Sequence, residues 1–284
     1  MIKTNRPKAA LIYDFDHTLS PKDMQEYTFI PDCGTDPDTF WKKAALLTTE
    51  EGVDQILASM YMMLKSAKEA GIPMTKEYLR GIGSRIELFP GVTEWFDAVA
   101  RLADEIGIQV EHYIISAGVK EMIEGSAIAK HFTKIYASSY YYDRVDKSPL
   151  WPAQVVNFAN KTQFLFRINK GVLADTDERI NDGMSEHERR IPSRNLIYIG
   201  DSLTDIPCMK LVKENGGHSI GVYHPDDPKK GASRELLEDN RVNFCLPADY
   251  REGGDLYRVI EVILKKLKAA SDLDSLSALQ KSEL

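Results

Sequence analysis

The stretch Ala9-Ala10-Leu11-Ile12-Tyr13-Asp14-Phe15-Asp16-His17-Thr18-Leu19 decides the fold: five residues of apolar run end abruptly in two carboxylates. Such a run, with no polar alternation, reads as a strand buried on both faces, and strands of that kind belong to parallel sheets. The device recurs downstream. His112-Tyr113-Ile114-Ile115 runs into Ser116-Ala117-Gly118, and Asn195-Leu196-Ile197-Tyr198-Ile199 runs into Gly200-Asp201-Ser202. Shorter versions lie at 219–223 and 242–245.

Helical patterns fill the spaces between them. Residues 94–106 carry Trp95, Phe96, Val99, Leu102, Ala103 and Ile106 on one face, with Thr93 as the expected N-cap and Gly107 as the C-terminal stop. Helices are also expected over 120–130, 162–169, 205–215 and 255–269. Strand and helix in alternation define an α/β, doubly wound parallel sheet. The stretch 21–89 breaks the alternation. Thr48-Thr49-Glu50-Glu51 reads there as a capping box, followed by Val53, Ile56, Leu57, Met60 and Leu64 at helical spacing, and Thr75 opens a further helix. The expected organisation is a core of 1–20 and 90–270, a smaller α-helical cap of 21–89, and a polar C-terminal tail of 271–284 that frays or forms a weak helix. A β-hairpin is expected over 135–156 and an exposed loop over 175–194.

Composition bounds the partners. Acidic residues outnumber basic ones, 43 against 36, for a net charge of −7, which gives no general attraction to nucleic acid or anionic lipid. The three cysteines, Cys33, Cys208 and Cys245, are far apart and odd in number, which suits a reducing compartment. The first apolar run is too short for a signal peptide, and no run approaches a membrane span, so a cytoplasmic location is expected. Assembly into a homo-oligomer is left open.

In a doubly wound sheet the carboxyl ends of the strands form the binding crevice. Three such ends carry Asp14 with Asp16, Ser116, and Asp201 with Asp205. Carboxylates that converge need compensating positive charge. Asp14 and Asp201 would share a hard cation, and Mg²⁺ suits one or two carboxylates completed by water and substrate oxygens. A lysine would neutralise the remainder. This equipment fits phosphoryl transfer: a carboxylate nucleophile, a second carboxylic acid to protonate the leaving alcohol, and a hydroxyl with backbone N–H groups to hold phosphate oxygens.

Rival motifs fail on inspection. An EF-hand loop would need glycine where Leu19 stands and an acidic residue where Gln25 stands. Gly200-Asp201-Ser202 is no nucleophile elbow, because Thr204 occupies the required glycine position. Gly81-Ile82-Gly83 lacks both a third glycine and a preceding strand. Met60, Met62 and Met63 read as helix core, with a pocket wall as the alternative.

Asp14-Phe15-Asp16-His17-Thr18 resembles the DxDxT motif of the haloacid dehalogenase superfamily. Ser116-Ala117-Gly118 is similar to its second motif and Gly200-Asp201-Ser202-Leu203-Thr204-Asp205 to its GDxxxD motif. The helical stretch after the first motif resembles the family's C1 cap, and the whole resembles the phosphatases of phosphoserine phosphatase type. The resemblance implies Asp14 as nucleophile and Mg²⁺ ligand, and Asp16 as general acid/base whose backbone carbonyl also binds the metal. It implies Ser116, Ala117 and Gly118 as the phosphate cradle, Asp201 completing the metal site, and Asp205 orienting a metal-bound water or the lysine. That lysine is Lys161 or Lys170; Lys161 is preferred because it opens a helix. Dehalogenase members lack an Asp two positions after the nucleophile, so Asp16 points to phosphate-ester hydrolysis. A small phosphorylated metabolite is the expected substrate. A phosphosugar mutase and a non-catalytic phosphate-binding protein are the alternatives.

Overall fold

Each apolar run becomes a strand because both of its faces find helices to pack on. The structure is a computed structural model and describes residues 6–227 and 231–282. The remaining residues, which include the first five of the expected core and the last two of the expected tail, lie outside the described residues.

In chain order the elements are β1 (Lys8–Tyr13), α1 (Phe29–Asp32), α2 (Pro37–Glu51), α3 (Gln55–Ala70), α4 (Lys76–Gly83), α5 (Val92–Ile106), β2 (Gln109–Val119) and α6 (Lys120–Gly125). They continue with β3 (Lys134–Tyr142), β4 (Pro149–Gln154), α7 (Thr162–Lys170), β5 (Leu196–Gly200), α8 (Ile206–Glu214) and β6 (His218–Tyr223). The chain closes with α9 (Gly231–Glu238), β7 (Phe244–Pro247) and α10 (Asp255–Ser282). The seven strands form one sheet in the order β4-β3-β2-β1-β5-β6-β7. All neighbouring pairs are parallel except β3 with β4, which form the expected hairpin at one edge.

β1 lies at the centre and shows why its sequence has no polar face. Ala9, Leu11 and Tyr13 enter one core with Trp95 and Phe96 of α5 and Leu256 and Ile260 of α10. Ala10 and Ile12 enter the other with Phe164 and Ile168 of α7 and Met209 and Val212 of α8. From β1 the chain builds outward through β2 to β3 on one side, then returns to β5 on the other. The order therefore reverses between β1 and β5, and a doubly wound sheet opens its crevice at that point.

Residues 21–89 hold α1–α4. The insert leaves and returns through one place: Phe89 N–H donates to the Leu19 carbonyl at 2.9 Å. Tyr250 ties both segments to the core, its N–H donating to Pro90 O at 2.8 Å and its phenol to Thr18 O at 2.9 Å. α4 crosses α6 so closely that glycine is required on both helices. A Cβ on Gly83 would stand 2.1 Å from Met122 O, and one on Gly125 would stand 2.0 Å from Arg80 O. Two further bonds fasten the insert: Tyr140 Oη to Met60 O at 2.8 Å, and Asn157 Nδ2 to Asp54 Oδ2 at 2.9 Å.

Several local expectations are corrected. Thr48-Thr49-Glu50-Glu51 ends a helix instead of opening one. α2 starts earlier because Asp36 caps it through Thr39 N–H and Pro37 fits its first turn, and Gly52 in the left-handed region stops it. The real N-cap of α3 is Asp54, which accepts from Ile56 and Leu57 N–H. α5 is capped by Gly91, and the Thr93 hydroxyl instead bonds Glu94. The helix expected over 120–130 stops at Gly125: Ser126 is extended and its hydroxyl donates to Ile123 O at 2.7 Å. The strand expected at 242–245 is shifted to Phe244–Pro247. Of the expected tail, 271–282 takes the helical alternative as a continuation of α10, and nothing beyond Leu267 on that helix is buried. Among the described residues no helix is long and apolar enough to cross a membrane.

Candidate active site

β1 delivers Asp14 to the crevice as its first residue past the strand, and Asp14 N–H still reaches Ile199 O of β5 at 3.0 Å. The chain then turns on itself: Leu19 and Ser20 N–H both return to Phe15 O, and His17 adopts φ of 57°. The turn aims Thr18 sideways, and its Oγ1 donates to Asp201 Oδ1 at 3.1 Å. Positions 183 residues apart in sequence are thereby joined across the β1–β5 gap.

Lys161 neutralises the cluster. Asn157 builds an Asx turn just before it by accepting from Ala159 and Asn160 N–H, and Lys161 directly precedes α7. Its side chain has no exposed surface worth the name, at 1%. Nζ donates to Asp14 Oδ2 at 2.8 Å and to Asp205 Oδ1 at 2.7 Å. The other oxygen of Asp14 accepts Phe15 N–H at 2.7 Å. Asp14, Asp201 and Asp205 each offer a carboxylate oxygen within 4.8 Å of the others. Gly200 allows this closeness, because a Cβ there would stand 2.5 Å from Asp205 Oδ2.

The electrostatics follow from burial and crowding. Burial and then the Asp205 charge push Asp14 up to about 6, against the pull of Lys161. Burial, Asp205 and Asp14 push Asp201 up to about 8. Burial followed by the charges of Asp23 and Asp14 holds Asp16 well above the ordinary carboxylate range. Burial alone would lower Lys161, but the two aspartates outweigh it and hold the ammonium charged. His17 is raised to about 9, first by its bond to Asp23. One lysine facing three carboxylates leaves a deficit of positive charge, and the donor set is all oxygen, which fits a hard divalent cation.

Asp16 accepts Met24 N–H at 2.9 Å through Oδ1. Its Oδ2 faces Gly118, where a Cβ would stand at 3.0 Å. The second motif therefore lies against Asp16, at the end of β2, where the pairing with β3 shifts register between Ser116 and Val119. Ser116 Oγ is buried and accepts Gly118 N–H at 3.0 Å, while Ala117 is half-buried. Lys170, the alternative lysine, points elsewhere: its Nζ donates to Ile180 O and Asp182 O. Lys161 is the one brought to the aspartates.

Sequence reading missed two residues here. Met24 is fully buried and its Sδ accepts Val119 N–H at 3.2 Å, closing the space behind Asp16. Tyr198 donates its phenol to Asp205 Oδ1 at 2.7 Å. The signal for Tyr198 was available: a tyrosine inside a strand buried on both faces must find an acceptor for its hydroxyl.

A mostly parallel sheet thus carries an acidic crevice at its reversal point, with a buried lysine as counter-charge. A model of the haloacid dehalogenase-like hydrolase family matches residues 11–210, and the chain belongs to that family. A protein of Borreliella burgdorferi described as uncharacterized is 28% identical over 88% of this chain and 94% of its own. Among solved structures, a substrate-bound phosphoserine phosphatase complex covers 91% of this chain and 99% of its own, with a TM-score of 0.54 at 13% identity. A phospho-aspartyl intermediate analogue of phosphoserine phosphatase covers 90% and 99%, with a TM-score of 0.53 at 15% identity. These two share the fold.

Proposed function

We propose that the protein is a Mg²⁺-dependent phosphomonoesterase of the cytoplasm that acts through an aspartyl-phosphate on a small phosphorylated molecule. The observation that carries the reading is the buried bridge from Lys161 to Asp14 and Asp205, beside Asp201. A buried ion pair costs desolvation and is weak support for stability alone, so its placement at the crevice suits catalysis. Asp14, Asp201 and the backbone carbonyl of Asp16 would hold the cation, which supplies charge against the phosphate dianion.

Asp14 attacks phosphorus, with Lys161 keeping its carboxylate ionised and fixed in direction. Asp16 enters the reaction protonated, as its burial favours, and gives that proton to the leaving alcohol. It then takes a proton from the water that hydrolyses the acyl phosphate on Asp14. Gly118 lets the phosphate-holding segment approach Asp16, and the Ser116 hydroxyl with the Ala117 N–H would hold the phosphate oxygens. The helical insert follows the catalytic turn directly in the chain, and placed there it would restrict the substrate to small molecules. The fold shared with phosphoserine phosphatases supports that substrate class. Three free thiols, with Cys208 buried, suit a reducing compartment.

The test is hydrolysis of p-nitrophenyl phosphate with and without Mg²⁺, read as inorganic phosphate released. Activity is expected only with the metal, with Asp14→Asn inactive and Asp16→Asn slowed by roughly 10²–10⁴. Asp16→Asn as fast as wild type, or phosphate release unaffected by Asp14→Asn, overturns the reading.

A further inference from the structure

Tyr198 lies on β5 three residues before Asp201, with no exposed surface. Its hydroxyl is 2.7 Å from Asp205 Oδ1, the same oxygen that accepts the Lys161 ammonium at 2.7 Å. The opposite oxygen is held more loosely: Ser202 N–H and Oγ reach Oδ2 at 3.3 Å each. The terminal torsion of an aspartate is soft, so donors must fix which way the carboxylate faces. Lys161 is itself flexible and divides its bonds between two acceptors. Tyr198 is the rigid donor of the set, an aromatic ring locked in the sheet core between α7 and α8. Burial keeps its phenol protonated, so it donates.

The neighbouring tyrosines show that this is no general habit of the layer. Tyr113 and Tyr136 are packed in the same core, yet Tyr113 bonds Glu111 and Tyr136 bonds the Leu173 carbonyl. Only the phenol of Tyr198, among these three, reaches the acidic cluster.

We infer that Tyr198 is a positioning residue, which turns Asp205 toward Lys161 and so seats the ammonium on Asp14 Oδ2. Its catalytic consequence rests on the phosphatase reading above. Tyr198 touches neither the substrate nor the nucleophile. It acts on transition-state formation by fixing the charge next to Asp14, and so belongs to kcat and not to substrate binding.

The experiment has two arms. In the first, Tyr198→Phe, the control Tyr113→Phe and wild type hydrolyse p-nitrophenyl phosphate with saturating Mg²⁺. Tyr198→Phe is expected to lose about tenfold in kcat with KM within about twofold, and Tyr113→Phe to keep both. The second arm needs no activity: crystal structures of Tyr198→Phe and wild type are compared at the Lys161 ammonium. Asp205 is expected to rotate and Lys161 to leave hydrogen-bond distance of Asp14 in at least part of the molecules. An inactive wild type sinks the phosphatase reading while the second arm still decides the role of Tyr198. An unchanged kcat in an active wild-type background, equal losses in both phenylalanine variants, or Lys161 still bridging both carboxylates in Tyr198→Phe overturns the inference.

Discussion

At the scale of single residues, Lys161 carries the most consequence. Its ammonium is buried and donates to two carboxylates. Lys161→Met leaves Asp14 and Asp205 facing each other without a counter-charge. Breaking a buried pair from one side costs about 3–5 kcal/mol, and a melt of the purified variant is expected to show that loss together with lost turnover. The aspartates were legible because the DxDxT and GDxxxD spacings place carboxylates at strand ends. The choice between Lys161 and Lys170 was not. Lys161 precedes α7 and Lys170 ends it, and the long segment from Gly171 to the next strand hides how far each lies from Asp201 in space. Tyr198 was half legible: its place in a buried strand calls for an acceptor, but hydropathy says nothing about which group that is.

At the scale of elements, the crossing of α4 and α6 decides how the insert sits. Gly83→Ala drives a Cβ into the Met122 carbonyl and is expected to cost about 1–3 kcal/mol in a thermal or urea melt. Gly81 lies on the same helix with open space around its missing side chain. Gly81→Ala is expected to be neutral or to stabilise by about 0.5–1 kcal/mol, since alanine is the better helix former. Equal effects at the two positions would show that the close approach is not needed. Strand existence was legible from apolar runs, and the helical character of 21–89 from its lack of them. Among helix starts inside the insert, that of α4 was legible, since Thr75 caps it through Tyr78 N–H, but those of α2 and α3 were not. The Thr48-Thr49-Glu50-Glu51 signature satisfies the capping pattern, but Asp36 before Pro37 and Asp54 before Gln55 compete for the same role and win, since each has N–H groups to accept.

At the scale of the whole molecule, the acidic crevice makes stability depend on pH. Asp14 is raised to about 6 and Asp201 to about 8 in the folded metal-free chain, against 3.8 for an ordinary aspartate. These two groups therefore hold protons that the unfolded state has released; the buried His112 and His218, held neutral in the fold, act the other way up to about pH 6.5, so the net fall in stability lies between about pH 6.5 and about 8. The metal-free Tm is expected to drop over that window, and Mg²⁺ is expected to restore more at pH 8 than at pH 5. Asp201→Asn is expected to flatten the pH dependence; an unchanged slope in that variant counts against the assignment. The sheet's strand order lay beyond the sequence, because apolar runs reveal which segments are strands but not which run beside which. The bond from Phe89 to Leu19 carries one more consequence. Because the entry and exit of the segment are neighbours, the stretch between its anchors can change in length without pulling the scaffold apart. The anchors set the limit: Met24 against Asp16 and Val119, and Gly83 against Met122, have to stay, so new specificities would arise by regrafting α2 and α3 between fixed posts.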